Sequence, residues 1–214
     1  MKITTVCDNT ALDKNLRSGW GFACWVETEE TTTLFDTGGD GARFLENVAT
    51  LDLDMQSVDA VVLSHAHGDH TGGLAALLNE GVRPTVYVPR SFPQRFKADV
   101  SSLTRLVEVS GPTEIRPRIY TTGELGRGIV EQALAVETLE GLVVITGCAH
   151  PGVVKMVRAA KAIGKGEVAL VMGGFHLGGV SRKRINRIIA DFRDLGVQRV
   201  APCHCTGQRA MNML

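Results

Sequence analysis

The segment Leu63-Ser64-His65-Ala66-His67-Gly68-Asp69-His70-Thr71-Gly72-Gly73 places three imidazoles and one carboxylate in six consecutive positions, directly after the apolar run Ala60-Val61-Val62-Leu63. Neutral imidazole and carboxylate are donors that borderline divalent ions prefer, so the chemistry this spacing points to is metal binding. A lone histidine is more often a core or surface residue than a ligand. Four donors in six positions, separated only by small residues, are not explained by packing. The chain has six histidines, and the other three also follow strand-like runs: His150 after Leu142-Val143-Val144-Ile145-Thr146, His176 after Val168-Ala169-Leu170-Val171-Met172, and His204 after Val197-Gln198-Arg199-Val200-Ala201.

On a tight loop leaving a strand, His65 and His67 can turn to one ion while Asp69 and His70 turn to a second, so one segment can serve two metals. Each position still lacks ligands, and His150 and His204, at later strand ends, could supply them. Gly68, Gly72 and Gly73 are expected to permit the sharp backbone path and close helix approach such a loop needs. Two adjacent cations would make water a usable nucleophile near neutral pH and polarise a carbonyl or phosphoryl oxygen. No serine or cysteine nucleophile is then required, and Asp69 is expected to orient the water as well as bind metal.

The elements that must position these residues alternate between strand and helix. Strands are predicted near 2–7, 20–27, 31–36, 59–64, 85–89, 141–146, 167–172 and 198–202, with helices over 42–48, 74–78, 152–163 and 182–194. From 81 to 140 the pattern blurs, and 90–100 and 111–118, which carry Pro93, Pro112 and Pro117, read as loops. Strands joined by helices that cover two stacked sheets make a layered α/β protein, and 214 residues suffice for one domain over 1–214.

Composition narrows the function. Acidic and basic residues balance at 23 each, and aromatic content is 5%, which argues against a nucleic-acid partner and for a small-molecule substrate. No apolar run approaches the roughly 18 to 20 residues of a membrane span, and the amino terminus reads as a first strand, so no membrane partner and a cytoplasmic location are expected. Five cysteines, an odd count, fit free thiols in a reducing compartment. Cys7 and Cys24 read as small buried hydrophobes, whereas Cys148, Cys203 and Cys205 flank histidines and could bind a soft ion, form a redox pair or pack beneath the site. Arg182-Lys183-Arg184 reads as a solvated helix face, and Arg90, Arg95 and Lys97 as a solvated patch.

His65-Ala66-His67-Gly68-Asp69-His70 resembles the signature of the metallo-β-lactamase superfamily, and the likeness extends along most of the chain. The resemblance implies a four-layered αββα sandwich with a metal site on one edge. It implies two divalent cations, zinc first, with manganese and iron also compatible: one held by His65, His67 and His150, the other by Asp69, His70 and His204. Asp36, in Leu34-Phe35-Asp36-Thr37-Gly38, resembles the aspartate that braces the metal loop. Many members bridge their cations with a carboxylate after the strand that precedes the last ligand; here that strand leads to Gly173-Gly174-Phe175-His176. His176 could therefore bind the second cation, contact substrate or act as acid or base. Cys148, Cys203 and Cys205 are expected to support the ligands from behind, and Asn9, Thr10, Phe22 and Phe175 to wall a substrate pocket by resemblance.

The set Asp8-Asn9-Thr10, Gly21-Phe22, Thr146-Gly147-Cys148-Ala149-His150-Pro151-Gly152, Gly173-Gly174-Phe175-His176-Leu177 and Pro202-Cys203-His204-Cys205-Thr206-Gly207 is similar to one subgroup of that superfamily. It contains metal-dependent hydrolases and an archaeal synthase that joins a dihydropterin methyl group to a ribofuranosyl-aminobenzene phosphate. The leading expectation is a hydrolase of a small ester, lactone or phosphodiester. A pterin-type transferase that releases pyrophosphate is the second, and a nonenzymatic metal-binding module the third. The chain stops at Leu214, soon after the last motif, so the last edge of the fold is expected to be short.

Overall fold

Two six-stranded mixed sheets organise the chain, one built from residues of each of two compact units, Met1–Ser110 and Gly111–Leu214. A computed structural model describes all 214 residues. In the first unit the order along the chain is β1 (Lys2–Cys7), β2 (Ala23–Glu27), β3 (Thr32–Phe35), α1 (Gly41–Thr50), β4 (Val58–Val62), α2 (Gly68–Thr71), α3 (Leu74–Asn79), β5 (Thr85–Pro89), α4 (Gln94–Ser101) and β6 (Leu106–Val109). The second unit continues with β7 (Thr113–Arg116), β8 (Ile119–Thr121), β9 (Leu134–Thr138), β10 (Gly141–Thr146), α5 (Val153–Lys161), β11 (Val168–Gly174), α6 (Arg182–Asp194), β12 (Val200–Cys203) and α7 (Gln208–Met211).

The first sheet runs in chain order, β1-β2-β3-β4-β5-β6, antiparallel through β3 and parallel from β3 onward. Parallel neighbours need crossovers, and α1, α3 and α4 provide them. Their apolar stripes build the core: Phe44, Val48, Leu74, Leu77 and Leu78 pack with Trp25, Leu34, Val61, Val86 and Val88. Asp40 caps α1 by accepting from the Arg43 N–H at 2.8 Å. Asn47, buried in that helix, donates to the carbonyls of Val6 and Arg17 and accepts from the Arg17 N–H, fixing the segment between β1 and β2.

The second sheet has the order β12-β11-β10-β9-β8-β7, parallel from β12 to β10 and antiparallel from β10 to β7. α5 and α6 supply Val153, Met156, Val157, Ile185, Ile188 and Phe192 to its core. Ser181 caps α6, and Arg182, Lys183 and Arg184 lie exposed on its first turn as the sequence indicates.

The long strands and helices fall where expected, but the blurred middle does not. Residues 94–101 form α4 instead of a loop, because Pro93 is its N-cap, where a missing N–H costs nothing. Residues 113–116 form β7, a short strand on a sheet edge where flanking prolines are tolerated. Lys97 is not on a solvated patch: it is 6% exposed, pairs with Glu108 at 3.0 Å and donates to the Arg90 carbonyl. Cys7 and Cys24 are buried as expected, and burial pushes their thiols up, Cys7 to about 12.

The glycines of the histidine loop divide by role. Gly72 and Gly73 have ordinary backbone angles, so they do not permit a sharp turn; they permit contact. A Cβ on Gly73 would lie 2.2 Å from the Thr37 carbonyl oxygen, and one on Gly72 would lie 2.6 Å from that of Gly39. Around Gly68 a Cβ meets nothing within 4 Å. Gly73→Ala should therefore lower folding stability by about 1–3 kcal/mol, read as the urea midpoint, while Gly68→Ala should stay within about 0.5 kcal/mol of wild type.

Candidate metal centre

In both sheets the candidate ligands sit just beyond the C-terminal ends of parallel strands, where loops of α/β proteins gather functional groups. In the first unit Asp36 follows β3, and Ser64 to His70 follow the adjacent β4. Asp36 has a left-handed backbone, with φ of 57°, and is completely buried. One of its carboxylate oxygens accepts the Ser64 N–H at 2.7 Å; the other accepts the Ser64 hydroxyl and His70 Nδ1, each at 2.7 Å. Because an ionised carboxylate only accepts, His70 Nδ1 must carry a proton, and Nε2 faces the other side. The Ser64 hydroxyl spends its proton on Asp36 and so accepts from His65 Nδ1 at 2.9 Å, presenting His65 by its Nε2 as well.

The resulting spacings fit cations. His65 Nε2 lies 3.0 Å from His67 Nδ1, close to the roughly 3.3 Å kept by two nitrogens about 2.0–2.1 Å from one tetrahedral ion. His70 Nε2 lies 3.5 Å from an Asp69 carboxylate oxygen, a similar spacing. The rings of His65 and His70 are 4.3 Å apart, and His65 and His70 are buried while His67 is exposed. The loop backbone is stapled to its surroundings: Phe22 N–H donates to the Asp69 carbonyl, Thr37 N–H to that of His70, and Gly72 N–H to that of Gly38.

In the second unit the candidate ligands lie past three neighbouring parallel strands: Cys148 and His150 after β10, His176 after β11, His204 and Cys205 after β12. Ala149, His176 and His204 all have left-handed backbones, with φ of 59°, 51° and 50°. The rings of His150 and His176 are 4.4 Å apart. The Cys148 sulfur lies within 4.8 Å of a donor nitrogen of each of His150, His176 and His204 and of the Cys205 sulfur. A hydrogen bond with Cys148, opposed by burial and aided by His204 and His176, holds the Cys205 thiol down at about 6.

Glu131, which the sequence reading passed over, is the anchor of this loop. It is completely buried, and its carboxylate accepts the N–H groups of Cys148, Ala149 and His150, each at 2.8 Å. Thr206 does similar work, accepting the Phe175 N–H and donating to the Cys203 carbonyl. Cys203 itself ends β12, and its backbone carbonyl serves that bond.

The residues expected to wall a pocket are placed differently. Phe175 is 1% exposed and packs on Phe192 inside the core, and Phe22 is fully buried, so neither ring has an open face for a substrate. Asn9 instead accepts the Gly21 N–H through its side chain, and Thr10 is exposed, its hydroxyl 3.3 Å from Asp8.

The family model described as the metallo-β-lactamase superfamily matches residues 21–159. The chain belongs to the metallo-β-lactamase superfamily. The 7,8-dihydropterin-6-methyl-4-(β-D-ribofuranosyl)-aminobenzene-5′-phosphate synthase of Methanocaldococcus jannaschii is 29% identical, over 100% of this chain and 90% of that protein. A crystal structure of a metal-dependent hydrolase of the β-lactamase superfamily superimposes with a TM-score of 0.83 at 29% identity, covering 99% of this chain and 90% of the other. Human tRNase Z, short form, shares the fold, with a TM-score of 0.62 at 16% identity over 95% and 92% of the two chains. The α/β fold of two mixed sheets is thus that of metallo-β-lactamases, and candidate metal-ligand clusters stand at its strand ends. No helix is long and apolar enough to cross a membrane.

Two measurements check this geometry. Burial works against a charged His70, yet the Asp36 charge and hydrogen bond, with Asp69, push its pKa from 6.5 up to about 10. A raised histidine pKa stabilises the fold fully below its unfolded value, and that contribution fades as pH climbs to the folded value. In metal-free protein, the gap in melting temperature between wild type and His70→Gln should therefore be widest below pH 6.5 and narrow towards pH 10. Glu131→Gln, which loses the charge that three N–H groups share, should cost about 1–3 kcal/mol in a chemical denaturation curve.

Proposed function

We propose that the chain is a hydrolase that uses two divalent cations to cleave a small ester, lactone or phosphodiester. One cation is assigned to His65, His67 and His150, the other to Asp69, His70 and His204. The observation that most supports this reading is the Asp36 network, which sets the tautomers of His65 and His70 so that both rings present Nε2. Packing alone would not require that arrangement.

The cations, when bound, supply Lewis-acid stabilisation of charge on a substrate oxygen and make water a better nucleophile near neutral pH. The chain's own groups do the positioning. Asp69, partly exposed, offers a carboxylate that can orient a water and accept its proton. His176, exposed and next to His150, can meet the substrate or exchange a proton with solvent. Asp36 and Glu131 hold the two ligand loops still, which spares reorganisation when charge develops. Imidazole, carboxylate and nearby thiols favour zinc over magnesium, with manganese and iron as competitors. Five cysteines without a disulfide fit a cytoplasmic, reducing setting, and the balanced charge fits a small-molecule substrate.

A second reading, a synthase of the pterin-condensing type, is favoured by the match to the M. jannaschii protein over the whole chain. One experiment separates them: metal analysis of the purified protein with turnover assays on ester, lactone and phosphodiester panels, and on a dihydropterin diphosphate with ribofuranosyl-aminobenzene phosphate. Hydrolysis of a panel substrate with two cations bound is expected, and His67→Ala should lose metal and at least about a hundredfold in turnover while keeping its circular dichroism. Pyrophosphate release from the pterin pair alone would replace the hydrolase reading with the synthase. Metal without turnover on any of them would overturn both.

A further inference from the structure

The end of β11, which lies between the strand ends that carry Cys148 and His204, has no room for a side chain at residues 173 and 174. Gly173 has a φ of 107°, and a Cβ there would lie 2.0 Å from the Thr146 carbonyl oxygen. A Cβ on Gly174 would lie 2.3 Å from the Gly147 carbonyl oxygen and 2.7 Å from the Cys205 sulfur. The two carbonyl contacts are backbone collisions that rotamer changes do not relieve. If two cations are held together, something other than residue 173 or 174 must link them.

Cys148 stands in a position to do so. It is 4% exposed, and its N–H is fixed by Glu131. Its sulfur is within 4.8 Å of donor nitrogens of His150 and of His204, the second-unit histidines assigned to the first and second cation. A sulfur and a nitrogen on one tetrahedral ion lie roughly 3.6 Å apart, given metal–sulfur and metal–nitrogen bonds of about 2.3 and 2.0–2.1 Å. A movement on the order of 1 Å therefore brings either pair onto an ion. Thiolate sulfur keeps several lone pairs after forming one bond, so a single atom can serve two cations. Cys205 is less well placed: its reach is established to Cys148 and His176, and the neighbouring His204 is already a ligand.

We infer that Cys148 is a metal ligand shared by the two cations, its thiolate joining the one assigned to His150 and the one assigned to His204. The inference rests on the two-cation reading above. Binding releases the thiol proton to solvent and changes no oxidation state. A sulfur bridge also biases the site towards thiophilic ions such as zinc and cobalt over manganese.

Cobalt(II) substitution of the full-length protein tests it without an activity assay. With two cobalt ions bound per chain, wild type should show an intense near-ultraviolet sulfur-to-cobalt charge-transfer band and an electron paramagnetic resonance signal weakened by coupling between the ions. Cys148→Ser should lose the band and the coupling; Cys205→Ser should keep both. Two bound cobalt ions with no such band, or a band that survives in Cys148→Ser, would overturn the bridge and leave the two-cation reading intact. Failure to bind two ions would remove both. If Cys148→Ser does not fold, zinc X-ray absorption of the Cys203→Ser/Cys205→Ser protein decides the matter: a sulfur scatterer at about 2.3 Å supports the assignment to Cys148, and a shell of nitrogen and oxygen alone refutes it.

Discussion

An ionised carboxylate taken out of water costs several kcal/mol unless its lone pairs are met, and in this protein that cost is turned to positioning twice. Asp36 and Glu131 are both completely buried, and each is satisfied by groups of a ligand-bearing loop. Asp36 binds the Ser64 N–H and hydroxyl and the His70 ring; Glu131 binds three successive N–H groups. Neither loop can relax to another conformation without stranding a buried charge. The geometry of the candidate ligand loops is thus enforced by the penalty for losing it.

The two anchors differ in what they control. Asp36 acts on side chains and fixes tautomers, so it governs which nitrogen of His65 and His70 faces outward. Glu131 acts on backbone, holding Ala149 in a left-handed conformation and setting where Cys148 and His150 leave the chain. Together they allow candidate ligand residues of very different exposure, from the buried His65 to the exposed His67 and His176, to have defined directions.

Much of this was legible in the residues. His65, His67, Asp69 and His70 stand out by density, and His150, His176 and His204 by following apolar runs, because the loops that carry functional groups begin at strand ends in parallel sheets; Asp36, completely buried, stands out only through the family resemblance. Glu131 was not legible, since its partners are backbone N–H groups, which leave no pattern in sequence, and it precedes β9 in the stretch with the weakest periodicity. A lone acid just before the apolar run Ala133-Leu134-Ala135-Val136 was the available signal. Phe22 and Phe175 misled for the opposite reason: a motif marks neighbourhood, and an aromatic ring near a site can face the core as readily as the cleft. α4 was hidden by Pro93, a helix breaker everywhere except at a helix start.

Four of the six non-glycine residues with left-handed backbone are Asp36, Ala149, His176 and His204. That conformation costs roughly 1–2 kcal/mol per residue for L-amino acids, so the loops are loaded as well as anchored. A β-branched replacement at Ala149 is barred by its backbone, and glycine, the one residue that would ease the turn, would also let it wander. The alanine there is a compromise between comfort and aim, and lineages that carry this loop should vary far less at that small, chemically silent residue than its lack of function would predict.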